Sequence, residues 1–222
     1  MQVVLEARNL YRFYHANEEE VLALRDVSLY VQVGEMVAIL GPSGSGKSSL
    51  LACLAGTDEP TGGVVHVDGK RITRRPEAER AQIRGDAIGF LMQSDNLIEH
   101  WTVEENMLFP MQLGSRRDPK RIRALLDALG LIHRRHAYPG QLSGGESARA
   151  GLAVALAGDP KIVLADEPTA EVDAETENWV LELLDNYCQG GGALVVATHS
   201  RTIAKKASRT IRLLDGKIVS DD

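Results

Sequence analysis

Cysteine is scarce in this chain: two residues, Cys53 and Cys188, in 222. One pair of thiols cannot staple a domain of that size, so a disulfide scaffold is excluded and both are expected as reduced, buried thiols. Long apolar runs are missing as well. Apolar runs such as residues 36–40 and 193–197 fall far short of the roughly 18 residues that a membrane-crossing helix needs. Glu6 and Arg8 interrupt the N-terminal stretch, so no secretory leader is expected. A basic surplus is absent too. Against 25 Lys and Arg stand 31 Asp and Glu, a net charge of -6, which argues against broad nucleic-acid binding because phosphates need a basic face. No internal repeat or low-complexity tract is found. What remains, 44% hydrophobic and 25% charged, is ordinary globular composition at a length suited to one large domain with a subdomain.

Short strand-like runs occupy both ends of the chain, at residues 2–6, 27–33, 36–40, 64–68, 161–165, 193–198 and 210–214. Several are continuously apolar, as Ile162, Val163, Leu164 and Ala165 are, the pattern of strands buried on both faces of a parallel sheet. From about residue 101 to 159 the pattern turns helical. Asp118 before Pro119 makes an N-cap and first turn, Ile122, Leu125, Leu126 and Leu129 share a face, and Gly130 supplies the stop. Thr102 and Glu105 form a capping box that starts a separate helix. A mostly parallel α/β core is therefore expected, interrupted by a helical insert. Seven Lys or Arg residues between 116 and 135 read as a solvated helical face, and Glu18, Glu19 and Glu20 as a hairpin tip.

Chemistry is concentrated in three motifs. Gly41, Pro42, Ser43, Gly44, Ser45, Gly46, Lys47 and Ser48 match the phosphate-loop pattern Gly-x4-Gly-Lys-Ser/Thr, with an apolar strand before and a helix-forming run after. In such a loop, glycines let backbone N–H groups turn toward phosphate oxygens. Lys47 would reach the β- and γ-phosphates, and the Ser48 hydroxyl would ligate Mg²⁺. The apolar run 162–165 ends in Asp166, placed to hold that metal, and Glu167 follows as a general base for an attacking water. Third, Ser143, Gly144, Gly145 and Glu146 precede an alanine-rich helix. Ser143 and Glu146 alone satisfy a capping box, but two adjacent glycines also make a second bare helix start open to phosphate. Two such ends in one chain suggest that the second serves a neighbour's nucleotide.

With these motifs the sequence resembles the ATPase subunits of ABC-type transporters over nearly its whole length. It is most similar to those of macrolide-export, lipoprotein-release and cell-division complexes, through Gln93 to Asn106 and Pro110 and through residues 163–169. The resemblance implies one α/β domain. A P-loop core with a mostly parallel sheet (1–89 and 158–222) would carry an N-terminal antiparallel β subdomain and an inserted α-helical subdomain (90–157). It implies ATP and Mg²⁺ as ligands, catalysis by Glu167, His199, Lys47 and Gln93, and metal contacts from Ser48, Gln93 and Asp166. Nucleotide would touch the loop from Gly41 to Ser48, neighbouring Ser49, and Tyr14 as the adenine-stacking aromatic, with Tyr11 and Phe13 as rivals. From a second copy would come Ser143, Gly144, Gly145, Glu146 and Asp173, the last also a good N-cap. The resemblance further implies a homodimer or pseudo-dimer on ATP, separate transmembrane permease subunits, no nucleic acid, and a cytoplasmic place on the inner membrane face. Export or extraction of a lipophilic or peptide-like substrate is the leading reading, with an ATP-gated signalling module as the alternative. Ser147, Ala148, Val154 and Ser200 depart from the family's usual residues.

Overall fold

The computed structural model describes residues 2–16, 19–114, 118–169 and 172–222; Glu18, Arg116, Arg117, Ala170 and Glu171 lie outside them. Two long strands open the chain, β1 (Val3–Ala16) and β2 (Glu19–Gln32), before β3 (Met36–Leu40) and α1 (Lys47–Ala55). Next come β4 (Gly62–Val67), β5 (Lys70–Arg71), α2 (Glu77–Ala87) and β6 (Ile88–Leu91). Three helices follow, α3 (Val103–Leu113), α4 (Pro119–Ala128) and α5 (Gly144–Ala157). The chain returns through β7 (Ile162–Asp166), α6 (Ala174–Gln189), β8 (Ala193–Ala197), α7 (Arg201–Lys206), β9 (Arg209–Leu214) and β10 (Lys217–Asp221).

Two sheets result. One is antiparallel, ordered β2-β1-β4-β5; the other, ordered β10-β9-β3-β8-β7-β6, is parallel except for the β9–β10 hairpin. The expected α/β class is what the chain adopts. The six-stranded sheet runs through Leu91, past position 90 where the helical stretch was expected to begin.

Alternation along the central strands explains their continuous apolar sequence. Ile162 and Leu164 join one core with α1 and the antiparallel sheet, whereas Val163 and Ala165 join a second core with α3, α4, α5 and α6. Both faces are buried, so neither can be polar. The sheet therefore holds its carboxyl-terminal edge between two packed layers, where ligand-binding loops of α/β folds emerge.

Local signals set the helix starts. Thr102 accepts from Glu105 N–H in a complete capping box, Asp118 accepts from Lys120 N–H ahead of Pro119, and Ser143 with Glu146 caps α5. Along α4 and its C-cap, Ile122, Leu126 and Leu129 are buried while Arg123 is exposed. Gly130, at φ 64°, turns the chain out of that helix. Cys53 and Cys188 are free and buried, as expected. Among the described residues, no helix is long and apolar enough to cross a membrane.

Candidate active site

The strand β3 delivers Gly41 to the sheet edge, and α1 begins six residues later. Gly46 is the N-cap of α1 at φ 102°, and no side chain caps that helix. The first-turn N–H groups are thus left without side-chain partners, facing an anion-sized bay. Two glycines are required by space. A Cβ on Gly46 would stand 2.4 Å from the Ala23 carbonyl oxygen, and one on Gly41 2.2 Å from that of Leu213. Lys47, nearly buried, folds back so that Nζ donates to the carbonyls of Gly41 (2.9 Å) and Pro42 (3.2 Å). Ser45 is buried, and its N–H closes the loop onto the Pro42 carbonyl at 3.1 Å.

In front of the loop lies a cavity of about 650 Å³. Ser43, Gly44, Lys47, Ser48 and Ser49 form its floor, and Tyr14 comes from β1. Gln93 arrives from beyond β6, Asp166 and Glu167 from the end of β7, and His199 from beyond β8. Adjacent parallel strands bring the last three together: Asp166 is level with Ala197, and Glu167 N–H donates to the Ala197 carbonyl at 2.8 Å. Glu167 sits at φ 46°, a left-handed conformation unusual for its residue type. Its Oε2 accepts from Thr198 Oγ1 at 3.0 Å and from His199 N–H at 3.3 Å, and its Oε1 lies 3.1 Å from His199 Nε2. The carboxylate is therefore held through both oxygens at the edge of the cavity.

The oxygen donors of Ser48, Gln93 and Asp166 border this one cavity. Among the described residues, no cluster of three or more His, Cys, Asp or Glu is able to hold a metal. Few protein oxygens beside a phosphate bay suit Mg²⁺, which keeps waters and phosphate oxygens in its shell, and do not suit zinc or a dedicated calcium cage.

Not every expected residue lies here. Ser143, Gly144, Gly145 and Glu146 are at the start of α5, and Asp173 caps α6 by accepting from Thr176 N–H at 2.9 Å; none of them lines the cavity. Gly144 instead borders a smaller cleft of about 180 Å³ shared with Gln93 and Glu167. Glu146 is held tightly. Its Oε2 accepts from Ser143 N–H at 2.8 Å and its Oε1 from Arg134 Nε at 2.8 Å, and these bonds lower its pKa to about 2.

Sequence reasoning missed several residues around the site. Val21, Ala23 and Arg25 of β2 and Asp215 and Gly216 of the β9–β10 turn line the cavity. The Asp-Gly pair is a recognisable hairpin turn, but nothing local places it beside a phosphate loop. Thr198, which fixes Glu167, and Asp58, which accepts from Tyr14 Oη at 2.7 Å, have no local signal either.

A phosphate loop between strand and helix, an acid pair at the end of a strand one place removed in the same sheet, and a helical layer on one sheet face define a P-loop ATPase of the cassette kind. The chain belongs to the ABC transporter family, whose family model matches residues 24–170. It is an ABC-type ATPase cassette that binds ATP. It is 39% identical to the lipoprotein-releasing system ATP-binding protein LolD of Geobacter metallireducens, over all of both chains. It is also 39% identical to the macrolide export ATP-binding/permease protein MacB of Photorhabdus laumondii, where it spans 35% of the longer relative. Its fold superposes on the cassette MJ0796, solved as a dimer in a post-hydrolysis state bound to ADP and Pi. The TM-score is 0.93, with 35% identity, covering 98% of this chain and 97% of that one.

Proposed function

We propose that this cassette is the motor subunit of a transporter, one domain in which the stretch after β6, through residue 157, acts as a helical subdomain. Two copies close on two ATP molecules and drive separate permease subunits from the inner, cytoplasmic face of a membrane. The carrying observation is that the helix starts of α1 and α5 do not share a cavity within one chain. The start of α5, with exposed Gly144, is left to meet the nucleotide on a second copy's phosphate loop. A dimeric relative at TM-score 0.93 supports that arrangement. Export or extraction of a lipophilic or peptide-like molecule is favoured by likeness to a lipoprotein-releasing and a macrolide-export protein. Trp101 and Phe109, packed edge-to-face at 5.3 Å beyond the Gln93 loop, supply an apolar surface by which strokes reach the membrane subunits.

In this reading a water attacks the γ-phosphorus in line with the bridging oxygen, that P–O bond breaks to release ADP, and Glu167 accepts the water's proton. Lys47 leaves the carbonyls of Gly41 and Pro42 for phosphate oxygens, and His199 donates to the charge that develops. Ser48, Asp166 and Gln93 would hold Mg²⁺, which when bound offsets phosphate charge. Tyr14 stacks on adenine. Positioning and electrostatics supply most of the acceleration.

Gly144→Glu tests the shared site. A Cβ there meets nothing within 4 Å, so the chain folds unchanged while a carboxylate enters the second phosphate end. The expected result is unaltered ATP affinity of the monomer with loss of ATP-dependent dimers, read by light scattering. Dimers that persist in this variant would overturn the shared-site reading.

A further inference from the structure

Three groups distant in sequence converge on the Tyr14 ring. The Arg12 guanidinium carbon lies 4.3 Å from the ring centroid, over one face. Arg12 is itself clamped in a two-pronged bond to Asp58, Nε to Oδ2 at 2.8 Å and Nη2 to Oδ1 at 2.7 Å. Tyr14 Oη donates to the same Oδ2 at 2.7 Å and lies 3.3 Å from Ser49 Oγ, on the helix that starts at the phosphate loop. Its rivals on β1, Tyr11 and Phe13, do not line the cavity.

We propose that Arg12 and Asp58 are positioning residues that lock Tyr14 as a preset platform for the adenine base. This rests on the reading of Tyr14 as the adenine-stacking residue. A tyrosine held by its hydroxyl and covered on one face has few rotamers left, so stacking a base on the cavity side loses little side-chain entropy. The guanidinium contributes a cation–π contact to the covered face. The ion pair has a second effect. Asp58 alone would set a negative charge beside a polyanionic nucleotide, and Arg12 neutralises it while Oδ2 accepts from both the guanidinium and the tyrosine hydroxyl. Through Ser49 the platform is tied to α1, so base and phosphate sites keep a fixed separation.

The test compares ATP with inorganic tripolyphosphate, which has no base, by calorimetric titration with a chelator present so that nothing is hydrolysed. Tyr14→Ala is expected to weaken ATP by about tenfold or more, the lower range of what a base–aromatic stack contributes, and to leave tripolyphosphate within about twofold. Asp58→Ala and Arg12→Met are each expected to lower the same ATP-to-tripolyphosphate ratio several-fold, and Asp58→Ala added to Tyr14→Ala to lower it no further. Arg12→Lys should restore only part of the ratio, since a lysine cannot make the two-pronged bond. Where Asp58→Ala does not fold, Asp58→Asn keeps the volume and removes the charge. An unchanged ratio in Tyr14→Ala overturns the stacking reading and the proposal with it. A ratio lost in Tyr14→Ala but kept in the Asp58 and Arg12 variants overturns the positioning proposal alone. Equal weakening of both ligands by Asp58→Ala makes its role structural and overturns the proposal too.

Discussion

Glu167→Gln separates a catalytic from a structural role for the carboxylate at the end of β7. The substitution keeps the side chain's shape and leaves the left-handed backbone at φ 46° untouched. An amide oxygen still accepts from Thr198 Oγ1 and His199 N–H, which now stand 3.0 and 3.3 Å from Oε2. The amide nitrogen, turned to the other side, can donate to His199 Nε2 in its neutral form, 3.1 Å from the present Oε1. All three contacts thus survive, and stability is expected to change by less than about 1 kcal/mol, the scale of one net hydrogen bond. What is lost is the ability to take a proton. A positioned general base contributes about 10²- to 10⁴-fold, which at about 1.36 kcal/mol per tenfold corresponds to roughly 2.7–5.5 kcal/mol of barrier. Phosphate release under saturating ATP and magnesium reads that loss. Equilibrium titration should show ATP affinity retained, and light scattering should show dimers that accumulate because nothing reopens them. Turnover within about threefold of the parent would remove Glu167 as the base, since general-base loss is at least about a hundredfold.

Two further expectations follow from groups with shifted acidity. Glu146, held at about 2 by the Ser143 N–H and the Arg134 guanidinium, stabilises the fold fully above its ordinary value of 4.5, and that contribution disappears as pH falls toward 2. The melting-temperature difference between the parent and Glu146→Gln should therefore be constant above about pH 5 and shrink below it; a difference unchanged to about pH 3 would contradict the bonding seen. Burial raises the Cys53 thiol to about 12 and the Cys188 thiol to about 11. Neither should react with a thiol-disulfide reagent at about pH 8 until denaturant is added, and rapid labelling of the native chain would refute their burial.

The phosphate loop was legible because its physics is local: strand, glycines, lysine and helix follow one another within twenty residues of chain. The capped starts of α3, α4, α5 and α6 were legible for the same reason. Much of the antiparallel sheet was not. The register of β1 against β2 shifts between Ala7 and Leu10 and again around Arg12, and Asn9 adopts φ 50°, so alternation is lost where the strand continues. The strand β6 is four residues long and follows α2 directly, too short for a period to show. Asp58 lies 46 residues from Arg12, and Thr198 lies 31 from Glu167, pairings created only by the sheets. Ser143 and Gly144, read in sequence as facing a neighbour's nucleotide, lie outside the cavity that Lys47 lines in their own chain.

The lysine folded onto its own loop bears on how nucleotide enters. Because Lys47 donates to the carbonyls of Gly41 and Pro42, the loop is cross-braced by its own cation. Under the proposed reading, arrival of a triphosphate is then an exchange of acceptors around one ammonium, carbonyl oxygens given up for phosphate oxygens. The exchange itself is a side-chain motion, and the large-amplitude events of the cycle then lie in the meeting and parting of two copies.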